Sequence, residues 1–300
     1  MSILSRYINP QVLEQMAQRP IEPRDLVYGN LAGAHKSPLS GFAVEFAGHR
    51  EYVAGDDPRH VDWRLYYKRD RLFIKQYELE TNFVCHLLLD VSASMRYGDA
   101  AEQKLQYAAQ LAATLAYAIV RQNDKVSLGT FDDQVRGWVP PGNTPAQVIR
   151  MIEHLDDIKP VEKTRLTESL QDLGGRMGRR EIVMICSDFF GDLPGLEEAV
   201  QRLRYQRHEV VLFHILHHDE IAFEFDGMVK FQGLEAVEEY LTSPQEIRAA
   251  YLKSFGRYVA QLDEICQRNK IERVQVDTRR PLAGVILDHL NQRAVLRASR

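Results

Sequence analysis

Several things are scarce in this sequence, and each shortage excludes something. Cysteine is rare: Cys85, Cys186 and Cys266 stand far apart in 300 residues. An odd, widely spaced set argues for reduced thiols and against a disulfide scaffold. Long apolar runs are missing too. Residues 111–120 are apolar, but they fall short of the roughly 18–20 residues that cross a bilayer. Residues 1–20 hold no apolar core of signal-peptide length. The expectation from these shortages is a cytoplasmic protein. Charge of one sign is absent as well, since the net value is −4. The most basic stretch, Arg176 to Arg180, has no aromatic interleaving and runs directly into Glu181, so it reads as a solvated turn rather than a nucleic-acid surface. There is no Walker loop. Gly174-Gly175-Arg176-Met177-Gly178 neither follows a strand nor opens a helix, which excludes a dinucleotide loop. No Ser/His/Asp triad can be assigned.

What is present is an ordinary globular composition, 45% hydrophobic and 27% charged, in a chain long enough for an ample core. The apolar run at 84–89 reads as a strand buried on both faces, and 125–131, 182–187 and 209–216 read as further strands. Helical stretches separate them: 101–122, 145–155, about 166–174 and 194–206. A long helix over 244–269, opened by a capping box at Ser243 to Glu246, precedes a last strand at 271–276 and a last helix at 281–290. This alternation predicts an α/β fold with a doubly wound, mostly parallel sheet. Asp226-Gly227 suggests an inserted hairpin near 222–232. The chain divides into residues 1–80, an N-terminal arm and β-containing extension, and residues 81–300, the α/β domain. Within the first part, Asn9 caps a short helix that starts at Pro10, and Asp57 before Pro58 caps another running to about Lys68.

The chain is organised around Asp90-Val91-Ser92-Ala93-Ser94. A carboxylate and two hydroxyls sit in one loop at the carboxyl end of an interior strand, where open α/β sheets place ligands. All three offer oxygen, which suits a hard cation such as Mg2+. The bland alternative is that they cap helix 101–122 or close the turn. His214, His217 and His218 with Asp219 and Glu220 invite a zinc reading, but a strand end entering a polar loop is the simpler one, since no Cys or second His cluster supports zinc. A phosphatase of the Asp-x-Asp-x-Thr type is discounted because Ser92 stands where the second Asp is needed.

The Asp-x-Ser-x-Ser stretch resembles the metal-ion-dependent adhesion site of von Willebrand factor A domains. That resemblance implies two more ligands. Thr164 opens a segment similar to Thr-x-x-x-x-x-Leu, with Thr167 the fallback. Asp188 lies in Ser187-Asp188-Phe189, where the family usually has Thr-Asp-Gly. Mg2+ or Mn2+ would then be held by Asp90, Ser92, Ser94, Thr164 and Asp188, with one position open to a partner's carboxylate.

A second resemblance covers most of residues 21–295. Phe42-Ala43, then Arg50-x-Tyr52-x-x-Gly55-Asp56-Asp57-x-Arg59-x-x-Asp62-Trp63, Lys75-x-Tyr77-x-x-Glu80, Gly233-Leu234-Glu235 and Tyr251 are similar to the bacterial domain-of-unknown-function family fifty-eight. It appends such a segment to a von Willebrand A-like domain. Many relatives carry membrane helices ahead of the domain; none is expected in this sequence, and with it no membrane role. The resemblance implies a non-enzymatic, cation-dependent binding protein, an adaptor or chaperone-like partner of a MoxR-type AAA+ ATPase. The alternatives are a metal-dependent phosphate-ester hydrolase and a metal-free structural interaction domain. Asp56, Asp57, Arg59, Asp62 and Trp63 are either a partner-binding loop or a structural one. In the structural case Arg59 pairs with Asp56 or Asp62, and Trp63 is core.

Overall fold

The computed structural model describes residues 3–16, 19–23, 32–36, 45–78, 80–158, 166–225, 227–232 and 239–298. Thr164, residues 41–44 and residues 233–235 lie outside these. The chain forms two compact units, residues 25–83 and residues 1–24 with 84–300.

The larger unit begins with α1 (Ile3–Tyr7) and α2 (Pro10–Met16). The Asn9 side chain accepts from the backbone N–H of Gln11 at 2.9 Å, as a cap should. Arg6 pairs with Asp156 at 2.6 Å and the Tyr7 hydroxyl donates to the same carboxylate at 3.2 Å. Gln122 exchanges two hydrogen bonds with the Ile21 backbone. The smaller unit contains β1 (Ala32–Lys36), β2 (Glu45–Glu51), α3 (Trp63–Arg69), β3 (Phe73–Glu78) and β4 (Glu80–Thr81). Antiparallel pairs join β1 to β4 and β2 to β3. The helix expected after Asp57 is divided in two. Asp57 caps a single 3-10 turn over Pro58–His60, and Asp62 caps α3 separately.

The rest of the larger unit runs β5 (Val84–Asp90), α4 (Lys104–Arg121), β6 (Lys125–Phe131), β7 (Val135–Gly142), α5 (Pro145–Asp156), α6 (Leu166–Gly174), β8 (Ile182–Ser187), α7 (Leu193–Tyr205), β9 (Glu209–Leu216), α8 (His218–Ala222), β10 (Val229–Gln232), β11 (Glu239–Thr242), α9 (Pro244–Arg268), β12 (Glu272–Asp277) and α10 (Leu282–Ala298). Six strands form one sheet in the order β12-β9-β8-β5-β6-β7. All neighbours pair in parallel except β7, which returns antiparallel along β6. This is the doubly wound, mostly parallel α/β fold that the alternation predicts. Leu88, Val183, Ile185, Val210 and Leu212 belong to one core cluster with residues of α6, α7 and α9. Strand alternation sends Leu87 and Leu89 to the opposite face, where α4 buries Leu111, Leu115 and Ile119.

Two expectations fail. The hairpin is β10 with β11, pairing Val229 with Thr242 and Gln232 with Glu239; it does not lie within 222–232. Residues up to Ala222 complete α8 instead, because the His217 side chain and Glu220 form a reciprocal capping box there. At the start of α9, Ser243 makes no cap to the backbone, and its hydroxyl donates to the Gln245 side chain at 2.9 Å.

The chain leaves β5 toward β6 and β7 on one side and returns to β8, β9 and β12 on the other. The switch point of the sheet is therefore between β5 and β8. Ligands of open α/β sheets bind outside the carboxyl ends of the strands at such a point.

Candidate functional site

Asp90 is the last residue of β5 and Ser187 the last of β8. They face each other across the switch point, and the Ser187 hydroxyl donates to Asp90 Oδ2 at 2.6 Å. Asp90 Oδ1 accepts from the backbone N–H of Ser92 at 2.9 Å. This folds the loop back on the carboxylate, a turn closed by a side chain. The same fold brings Ser92 Oγ to 3.1 Å from Ser94 Oγ. Ser94 opens a 3-10 turn to Arg96. Gly98 then takes φ +96°, where an added Cβ would meet the His217 ring at 2.7 Å and the Glu102 carbonyl at 2.9 Å. The chain can thus turn tightly into α4.

Asp90 is 1% exposed and Asp188 2% exposed. Burial, and after it the Asp188 carboxylate, push the Asp90 carboxyl well above the usual carboxylate range. Among the described residues no ion pair is made to Asp90. Asp188 differs. Its Oδ2 accepts from Lys104 Nζ at 2.8 Å, and its Oδ1 from the backbone N–H of Phe190 at 3.2 Å. Lys104 also donates to Glu220 Oε1 at 2.8 Å. Burial alone would lower the pKa of Lys104, but Asp188 and then Glu220 more than offset it and hold the ammonium charged. Asp188 and Glu220 share this one ammonium; ionised together, Asp90, Asp188 and Glu220 would carry three negative charges against its single positive one. A divalent cation has the charge to balance the excess. The donors Asp90, Ser92, Ser94 and Asp188 are all oxygen, and Asp90 is a buried carboxyl with no ion pair among the described residues, so they fit Mg2+ or Mn2+.

The loop after β8 departs from glycine without losing the glycine conformation. Phe189 has φ +52° and is 2% exposed. Its N–H donates to Ser187 Oγ at 2.9 Å and its carbonyl accepts from the Tyr258 hydroxyl. Thr167, the second residue of α6, directs its hydroxyl toward Gly195 in the first turn of α7, where an added Cβ would approach it to 2.3 Å. The sequence did not show Ser187, Lys104 and Glu220 to be neighbours of this site. Lys104 was detectable in principle, since it shares helical spacing with Ala108, Leu111 and Leu115, all core residues.

The three histidines of the discounted zinc reading have separate partners. His214 Nδ1 meets Arg273, His217 caps α8, and His218 Nδ1 lies 2.8 Å from Asp277. Among the described residues no group of three His, Cys, Asp or Glu is arranged to hold a metal. The candidate site is accordingly one of hydroxyls as well as carboxylates.

In the smaller unit the acids are committed to structure. Asp56 takes a bidentate ion pair from Arg50 at 2.6 and 2.7 Å and the Val53 N–H at 2.9 Å. Asp57 accepts from the Arg59 N–H at 2.9 Å. Asp62 caps α3 and pairs with His49 at 2.8 Å and Lys75 at 3.9 Å. The side-chain partners of Asp56 and Asp62 are therefore Arg50, His49 and Lys75, not Arg59. Trp63 is 56% exposed and is not core.

The proteins to which this chain is similar carry no stated activity in their names. Uncharacterized protein Rv1480 of Mycobacterium tuberculosis is 23% identical, over 79% of this chain and 75% of its own. Among solved structures, BatB from Bacteroides thetaiotaomicron aligns over 73% of this chain and 100% of its own, at 16% identity and TM-score 0.49. An aerotolerance-related membrane protein from Bacteroides fragilis aligns over 70% and 100%, at 18% identity and TM-score 0.49. The SpRpn10 VWA domain aligns over 69% and 94%, at 12% identity and TM-score 0.38. At these scores the likenesses add no weight to the fold, which rests on the strand order. They do correct the expectation of a cytoplasmic protein. The Bacteroides fragilis neighbour is named as a membrane protein, and another, from Vibrio fischeri, as a membrane spanning protein. Among the described residues no helix is long and apolar enough to cross a membrane, but that does not place the chain in the cytoplasm. The family model of "Protein of unknown function DUF58" matches residues 48–259, more than half of the sequence, and the chain belongs to that family.

Proposed function

We propose that this chain is a non-enzymatic protein-binding module whose grip depends on a divalent cation at Asp90, Ser92, Ser94 and Asp188. The observation that carries the reading is Asp90, a buried carboxylate at the switch point with no counter-charge among the described residues. A buried carboxyl in this state keeps its proton, or ionises only at a cost, until something cationic joins it. Ser92 and Ser94 are held side by side within reach of the same rim. Mg2+ or Mn2+, when bound, supplies that charge and a coordination position open to solvent. The residues do the remainder: Asp90 and Asp188 anchor through their carboxylates, directly or by way of water, and Ser92 and Ser94 offer oxygens fixed by the loop. Thr164 is the remaining oxygen donor that the family resemblance implies. The partner this rim suits is an acidic side chain on another protein. The resemblance suggests a MoxR-type AAA+ ATPase or its client, for which the chain serves as adaptor.

Thermal melting tests the reading. Added Mn2+ raises the Tm of the wild-type protein, and the rise disappears in the Ser92→Ala/Ser94→Ala double variant. At a hundredfold excess over Kd, binding contributes about 2.7 kcal/mol, which a melt reads easily. A pull-down from native lysate then captures an AAA+ ATPase without EDTA and loses it with EDTA. A melt indifferent to Mn2+ overturns the cation, and phosphate-ester turnover that requires Asp90 overturns the non-enzymatic reading.

A further inference from the structure

The ammonium of Lys104 is an unusual neighbour for a cation site. Lys104 opens α4 and is fully buried, at 0% exposure. Its Nζ lies 2.8 Å from Asp188 Oδ2 and 2.8 Å from Glu220 Oε1, with the Phe190 ring centroid 5.6 Å away. Both acceptors are themselves held. The other oxygen of Glu220 takes the His217 N–H at 2.7 Å, and the other oxygen of Asp188 takes the Phe190 N–H. The Tyr251 hydroxyl fixes the same segment through the Glu220 carbonyl, at 2.9 Å. A buried ammonium held by two fixed carboxylates cannot swing aside to admit another cation.

We infer that Lys104 is a resident cation that shares Asp188 with the divalent ion and keeps its affinity low, so that stable binding requires the partner's acidic group as well. This rests on the cation reading given above. Two positive centres on the two oxygens of one carboxylate stand on the order of 5 Å apart, and in a dry site their repulsion is screened far less than in water. Each also draws electron density from the same anion. Glu220 moderates the effect by taking part of the ammonium's field.

Variants of Lys104 and Glu220 shift affinity in opposite directions. Lys104→Met combined with Glu220→Gln removes one charge of each sign, leaves the local balance unchanged and frees Asp188. It binds Mn2+ about tenfold tighter than wild type or better. Glu220→Gln alone leaves the ammonium leaning on Asp188 and weakens Mn2+ about threefold or more. Both are read by calorimetric titration with Mn2+ alone, alongside circular dichroism to verify the fold. If the double variant does not fold, the single one still decides. Wild-type binding with unchanged affinity in the variants overturns the role of Lys104 and leaves the cation site standing. Weaker binding in the double variant also overturns it, since Lys104 would then be orienting Asp188 for the ion. Absence of Mn2+ binding in every protein tested overturns the site itself.

Discussion

At the scale of single residues, Phe189 shows how this site is kept in shape. A side chain at φ +52° carries a penalty of about 1–2 kcal/mol that glycine escapes. The phenylalanine also fills the core beside Ile185, Leu212 and Leu262, and its ring lies edge-on to His214 with centroids 5.9 Å apart. Removing a buried phenylalanine costs about 3–5 kcal/mol. Packing outweighs strain, so Phe189→Gly destabilises the protein by about 2 kcal/mol or more, although it relaxes the backbone. Urea denaturation measures this, and an unchanged or raised midpoint would show that the strain term dominates. The local part of the site was legible in the sequence for a similar reason. Asp90, Ser92 and Ser94 act over two to four positions, and a loop of oxygens after an apolar run is visible as text. Lys104 was not legible as a member, because its partners Asp188 and Glu220 are 84 and 116 positions away.

At the scale of elements, the segment between β2 and α3 is held by one bidentate pair. Asp56 joins Arg50, the penultimate residue of β2, to the Val53 N–H and closes the turn that leads to the Asp57 and Asp62 caps. Asp56 has its pKa drawn down to about 2, first by the Arg50 hydrogen bonds and then by the Val53 N–H. Asp56→Asn keeps the size and loses the charge. It loosens residues 53–57, and limited proteolysis cuts there faster than in wild type. An unaltered cleavage pattern would mean that the caps alone hold the turn. The same scale shows where reading by pattern works. β6, β8 and β9 are predominantly apolar, buried nearly throughout, so their identity depends on composition. The hairpin was misplaced because Asp226-Gly227 is strong turn chemistry, while the interaction that decides the segment is the His217 and Glu220 capping box upstream. A His cap has little compositional signal of its own. Arg50 escaped notice as the partner of Asp56 for a different reason: Arg59 is closer in sequence to the acids, and only the β2–β3 pairing shows which cation faces the loop.

At the scale of the whole molecule, response to acid is set by the groups that burial moves. His208, just before β9, is fully buried, and desolvation lowers it to about 4 against the opposing pull of Glu181. His214, within β9, is lowered to about 3, first by burial and then by Arg273. Unfolded histidine titrates near 6.5. As pH falls below that value the unfolded chain takes up these protons and the native state does not, so stability falls with pH until the folded values are reached. Asp90 and Glu220, both raised, act in the opposite sense, since their native carboxyls accept protons before the unfolded ones do. The net slope is a contest between imidazoles and carboxyls, and a variant isolates one contributor. The His208 Nδ1 accepts from the Glu181 N–H at 3.3 Å and its Nε2 lies 3.1 Å from the Gln206 side-chain oxygen. That pattern is an acceptor on one side and a donor on the other, which a glutamine amide can imitate without titrating. His208→Gln therefore loses some stability at pH 7.5 through imperfect packing. Between pH 6 and 4.5 it loses less than wild type with each step, by about 1.4 kcal/mol per pH unit for one proton. Urea midpoints measured at pH 7.5, 6, 5 and 4.5 should bring the two curves together and then cross. Curves that stay parallel would mean that His208 takes its proton in the folded protein as readily as in the unfolded one, and that acid acts on this fold through other groups.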